Sequence, residues 1–129
     1  MPFEQRTPTE NGEGNLPFFM SILFLLQFLG YPVQGPITQD PSPMHQAVDI
    51  ACITGSPVIA THDGFLRRER SPLMGNTAEV KGENYQSYYA HLDTVIANGP
   101  VTRGSVIGTC GNTGTLSTGP HLHYNIVKF

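Results

Sequence analysis

From Gly35 onward the chain is built of short apolar or alternating runs: AVDIACI, PVIA, GFLRRE, TAEVKG, YQSYYAHL, TVIA, SVIGTC and HLHYNIVKF. Turn-forming stretches separate them, among them ITGSP, HDG, MGN, NGP and CGNTG. Period-two runs punctuated by Gly, Asn, Asp and Pro predict many short strands in an antiparallel sandwich or barrel. No window after residue 35 sustains an apolar period of 3.6, so nothing there predicts a helix. The pattern therefore predicts an all-β domain, mainly antiparallel sheet, over residues 35–129.

The N-terminal part reads differently. Residues 1–15 are polar, hold two prolines and carry three glutamates against one arginine, which predicts disorder. Residues 16–34 are the most apolar run of the chain, LPFFMSILFLLQFLGYPVQ, and can be helical. The apolar core suits a secretory signal, but the preceding residues are acidic and no A-x-A cleavage site follows. As a membrane span it is marginal, because about 20 apolar residues are needed and Pro17, Gln27 and Pro32 interrupt it. The expectation is membrane association through residues 16–33, as an anchor or uncleaved signal; the alternative is an apolar segment packed on the domain.

Composition narrows the function. A length of 129 residues suits one core. Charged residues make up 13%, and the net charge of -3 leaves no electrostatic footprint for nucleic acid. Arg67, Arg68 and Arg70, with Glu69 among them, read as a solvated strand edge. Cys52 and Cys110 allow one disulfide without requiring it. In a regular strand Cys52 would point away from the face carrying Asp49, which argues against a thiolate ligand. A buried thiol and a structural bridge are equal readings.

The candidate chemistry lies in histidines. His121 and His123 share the last strand two residues apart, hence one face. His45 and Asp49, four apart in MHQAVDIA, reach the same side whether the backbone is strand or helical turn. His91 ends the aromatic run YQSYYAHL, whose tyrosines read mainly as core. His62 stands beside an Asp-Gly turn and reads as a surface residue. Taken singly, each of these residues has an ordinary structural explanation. Together they form a set that a divalent cation would satisfy, since buried imidazoles and carboxylates need partners.

Two imidazoles and a carboxylate leave an open position, as catalytic zinc requires, and a bound water then ionises near neutral pH. The same ligand set suits non-haem iron, but the surplus imidazoles favour zinc and hydrolysis. Ligand protonation would make activity fall below about pH 6. The glycine-rich GTCGNTGTLSTGP lacks the Lys-Ser/Thr ending of a phosphate loop and reads as a tight turn that brings backbone close to substrate.

HQAVD, GSPVIATHDGFL, YYAHL and VTRGSVIGTCGNTGTLSTGPHLHYNI together resemble the M23 or LytM-type (lysostaphin-like) zinc metallopeptidases over roughly residues 35–129. The resemblance implies a LytM-like, duplicated-hybrid-motif sandwich with a groove over one zinc ion. By matching position it implies His45, Asp49 and His123 as metal ligands, and His91 and His121 as the catalytic pair. The implied substrate is the peptide part of bacterial peptidoglycan, either stem cross-links or bridges. The implied location is extracellular, cell-wall or periplasmic, and a monomer is expected. Ala47 departs from the family's usual Gly and is expected to narrow the approach to the metal or restrict the turn. The family often continues past the H-x-H strand, so one groove wall is expected to be short after Phe129. A binding or regulatory LytM-like module without catalysis is the alternative class.

Overall fold

The computed structural model describes residues 18–129. The expectation of disorder over residues 1–15 lies outside the described residues. One helix, α1 (Phe18–Leu29), precedes ten strands: β1 (Ile37–Gln39), β2 (Val48–Ala51), β3 (Pro57–Ile59), β4 (Gly64–Ser71), β5 (Gly75–Lys81), β6 (Tyr85–Leu92), β7 (Thr94–Val95), β8 (Gly99–Val101), β9 (Val106–Thr109) and β10 (His121–Lys128). Seven form one sheet in the order β1-β2-β10-β6-β5-β4-β8, and three form a second in the order β3-β9-β7. Every neighbouring pair is antiparallel. The all-β expectation matches this architecture.

The alternation in β10 sets the two faces of the large sheet. Leu122, Tyr124 and Ile126 are buried, while His121, His123 and Asn125 between them are half-buried on the opposite face. β2 repeats the pattern, with Val48 and Ile50 inward and Asp49 and Ala51 outward. The inward residues join one core with Leu66, Val80, Tyr89, Val58 and Ile107, so the small sheet covers the inner face. Arg67, Arg68, Glu69 and Arg70 are exposed, on the stretch of β4 that β8 leaves unpaired.

The apolar N-terminal run supplies a further cover for the core. Ile22, Leu25, Leu26 and Leu29 follow the i, i+3, i+4, i+7 spacing of one helix face, and all four are buried in the core together with Val33. Phe24 and Phe28 face outward. α1 ends at Gly30, whose φ of +101° and N–H bond to the Leu26 carbonyl mark a left-handed cap. The Arg103 guanidinium donates to the Leu29 carbonyl at 2.7 Å, tying the helix end to the domain. Among the described residues no helix is long and apolar enough to cross a membrane.

His62 departs from expectation. It is 5% exposed, so the surface reading of THDG is overturned. Its Nδ1 bonds the Asp63 carbonyl at 2.8 Å and its Nε2 lies 2.8 Å from Ser87 Oγ. Ser87 Oγ donates to Tyr89 OH, which meets Thr61, and Thr61 Oγ1 lies 2.7 Å from Tyr124 OH. The turn is at the surface, but the ring folds under it because β6 offers a hydroxyl partner in the core.

Cys52 and Cys110 form a disulfide, across a sequence separation of 58. In the chain-entropy view a loop of that size stabilises by roughly 4 kcal/mol. The double variant Cys52→Ala/Cys110→Ala should lose about 2–4 kcal/mol in denaturant titration while keeping its sheet spectrum; an unchanged midpoint would show that the bridge is idle. Burial lowers the His62 pKa from 6.5, against the raising effect of the Asp63 carbonyl and carboxylate. The folded state thus binds fewer protons below pH 6.5, so this contribution is complete above that value and is lost on acidification through the folded pKa. Wild type should therefore weaken more steeply than His62→Gln as pH drops below 6.5. Parallel stability profiles would remove His62 from that account.

Candidate functional site

The outward face of β2 and β10 carries the cluster. The ladder sets His123 directly opposite Asp49 and His121 opposite Ala51. His123 Nδ1 bonds Asp49 Oδ1 at 3.0 Å. His45 arrives from a tight turn closed by two backbone hydrogen bonds with Ser42, and its Nε2 lies 3.5 Å from the same oxygen. His121 Nε2 lies 3.9 Å from it. Three imidazoles thus surround one carboxylate oxygen.

His91 reaches this face by a route that simple alternation excludes. Ala90 pairs with His123 and shares its face, so a regular β6 would turn His91 inward beside the core. The β5–β6 ladder instead slips by one residue between the Asn76–Leu92 and Ala78–Tyr89 pairs, a β-bulge. His91 is its pivot, with φ of +63°, uncommon outside glycine. Its N–H bonds the Met74 carbonyl at 2.9 Å. Its ring then sits 4.8 Å from that of His121 and 5.9 Å from that of His123, centroid to centroid.

Backbone carbonyls orient both outer rings. His91 Nδ1 donates to the Thr113 carbonyl at 2.7 Å and His121 Nδ1 to the Gly119 carbonyl at 2.8 Å. A carbonyl only accepts, so the proton sits on Nδ1, and each neutral ring keeps a free lone pair on Nε2. Burial lowers the His91 pKa, partly opposed by the Thr113 carbonyl and reinforced by the neighbouring imidazoles. His91 therefore stays neutral to lower pH than a free histidine.

The carboxylate is held ionised. Burial raises the Asp49 pKa, but the His123 hydrogen bond and the charges of His123, His45 and His121 outweigh it, and the net shift is downward. One donor atom from each of His45, Asp49 and His123 lies within 4.8 Å of the others. With bonds of about 2.0–2.1 Å the corners of a tetrahedral zinc site are about 3.3 Å apart, close to the 3.5 and 3.0 Å separations from Asp49 Oδ1. The donor set and its spacing fit one such ion.

All five residues singled out from sequence, His45, Asp49, His91, His121 and His123, are brought together on one face. Cys52 is taken up by the disulfide. Ala47 is buried, on the same strand parity as Asp49. One expectation is corrected in part: Gly119 has open space and lines the cleft beside His121, but the glycines of the 108–114 stretch meet their own chain instead of an open groove. A Cβ on Gly111 would stand 2.4 Å from the Asp93 nitrogen, and one on Gly114 2.4 Å from the Leu73 carbonyl. That close approach seats the Thr113 carbonyl over His91. The orienting role of Thr113 and Gly119 went unrecognised in sequence because it belongs to carbonyls, which every residue has.

Beside Asp49 and His121 lies a cleft of about 280 Å³, walled by Thr38, Ala51, Gly119 and Pro120.

The Peptidase family M23 profile matches residues 43–129. The chain is 38% identical over 96 residues to the peptidoglycan DD-endopeptidase ShyA of Vibrio cholerae, covering 71% of this chain and 22% of that protein. It is 42% identical over 84 residues to the DD-carboxypeptidase/endopeptidase Mpg of Neisseria meningitidis serogroup B, covering 63% and 19%. Among solved structures, a zinc-containing peptidase from Vibrio cholerae superposes with a TM-score of 0.68 at 33% identity, over 76% of this chain and 36% of that one. The catalytic domain of lysostaphin from Staphylococcus simulans gives 0.61 at 30% identity, over 79% and 84%. The chain spans about a fifth of the length of these two curated relatives. With the profile covering most of the sequence and the five polar residues gathered on one sheet face, the chain belongs to peptidase family M23.

Proposed function

We propose that the chain is a zinc-dependent endopeptidase that hydrolyses peptide cross-links of bacterial peptidoglycan outside the cytoplasmic membrane. The observation that carries this reading is the pair of outer imidazoles, His91 and His121, each pinned through Nδ1 with Nε2 left free beside the His45–Asp49–His123 set. A binding module has no use for two such oriented bases. The cleft of about 280 Å³ beside Asp49 gives a substrate side chain room next to the cluster. The names of the relatives, a DD-endopeptidase and a DD-carboxypeptidase/endopeptidase, favour stem cross-links over glycine bridges. A disulfide also suits an oxidising compartment.

His45, Asp49 and His123 would hold the ion. Zinc so held supplies Lewis acidity toward the scissile carbonyl and a water that ionises near neutral pH. The remaining work falls to the protein. One of His91 and His121 takes the proton of the attacking water at Nε2 and returns it to the leaving amine. The other donates to the developing oxyanion once protonated. The Thr113 and Gly119 carbonyls accept from Nδ1–H of the two rings whether Nε2 is free or protonated, which keeps Nε2 as the atom that exchanges the proton.

The deciding experiment is digestion of directly cross-linked and glycine-bridged peptidoglycans, with products identified by mass. Cross-linked dimers of the first type should become monomers with the gain of one water at the cross-link; an intact wall from both sources overturns the proposal. Chelation should abolish cleavage and added zinc restore it. His123→Ala should lose zinc and activity together. His91→Asn, which tolerates the left-handed backbone, should retain zinc and lose roughly 10²–10⁴-fold in rate. A His91→Asn enzyme with wild-type turnover would remove His91 from catalysis.

A further inference from the structure

Two buried polar atoms near the cluster, His45 Nδ1 and Asn125 Oδ1, have no hydrogen-bond partner among the described residues. They are complementary. His45 presents Nε2 to Asp49 Oδ1, so a ligating neutral ring carries its proton on Nδ1 and needs an acceptor there. Asn125 Oδ1 is an acceptor without a donor.

The backbone sets both beside one residue. Asn125 follows His123 by two in β10 and shares its face, about 6–7 Å along the strand. The His45 ring meets the His123 ring edge-on, with centroids 5.2 Å apart. Asn125 also stands one step past the Tyr124–Val48 pair, where the chain coming from His45 bends into β2 at Ala47. On its other side it pairs with Tyr88. An unmatched buried donor and an unmatched buried acceptor are each costly, and pairing them with one another would remove both penalties.

We propose that Asn125 is a positioning residue for the metal centre: its Oδ1 accepts the Nδ1–H of His45 and thereby aims Nε2 at the ion. This rests on the zinc reading of the site. The Nδ1–H bonds of His91 and His121 go to backbone carbonyls, whereas the acceptor assigned here to His45 Nδ1 belongs to a side chain. A side-chain acceptor can be substituted without moving the backbone, which makes the inference testable.

The test uses the full chain, stripped of metal and titrated with zinc against a chromogenic chelator. Wild type should bind one zinc, Asn125→Leu should bind roughly 10- to 100-fold more weakly, and Asn125→Asp, which restores an acceptor, should return close to wild type. Thermal unfolding of the metal-free proteins separates a general loss of stability from the loss of this partner. In a His45→Ala background the Asn125→Leu change should have no further effect on zinc affinity. Independently of any variant, NMR of the zinc-loaded wild type should find a His45 Nδ1 proton that exchanges slowly with solvent. Unchanged zinc affinity in Asn125→Leu, or a His45 Nδ1 proton exchanging as fast as in free imidazole, overturns the inference. A wild type that takes up no zinc overturns the metal reading instead, a distinguishable result.

Discussion

Asp49 Oδ1 is the point on which the site converges, with imidazole nitrogens of His123, His45 and His121 at 3.0, 3.5 and 3.9 Å. A half-buried carboxylate is costly unless its charge is met, and burial alone would push its pKa up. The imidazoles reverse that shift. Electrostatics and strand register therefore enforce the same arrangement: the rings must gather around the acid, and the β2–β10 ladder places His123 opposite it. Loss of the carboxylate would leave three imidazoles facing one another with nothing to hold them.

The second constraint is the bulge at His91. Without the one-residue slip, β6 would aim this ring into the core, beside the tyrosines. A non-glycine residue at φ +63° costs energy. The cost is offset by the Met74 and Thr113 carbonyls, which take its backbone and ring N–H groups. The Thr113 carbonyl can stand there only because Gly111 and Gly114 let their loop lie against Asp93 and Leu73. These two glycines thus set the tautomer of His91 through the loop they shape.

The large sheet has two polar systems, one on each face. Outward lies the histidine cluster. Inward, Tyr89 and Tyr124 bury their rings in the core and pass hydrogen bonds through Thr61 and Ser87 to His62. β10 carries both, alternately: His123 outward, Tyr124 inward, Asn125 outward. One strand therefore carries both the core network and the histidine cluster on alternate residues. α1 and the disulfide close the same core from the N-terminal and loop sides.

Much of this was legible in the chain. Period-two alternation determined the sheet class and the shared face of His121 and His123, since i and i+2 spacing in a strand leaves no alternative. The offset of His45 from Asp49 worked for a similar reason, although His45 sits in a turn and not in a strand. What lay beyond local pattern belongs to partners distant in sequence. The face of His91 depended on a ladder slip against β5, the burial of His62 on a hydroxyl in β6, and the fate of Cys52 on a partner 58 residues away. The packed stripe of α1 was hidden because both sides of the run are apolar, so only contact with β10 chose one. The amino-acid sequence alone determined which chemical groups could meet; the tertiary structure decided how each ring is turned, because orientation depends on carbonyls and bulges that leave no mark in residue type.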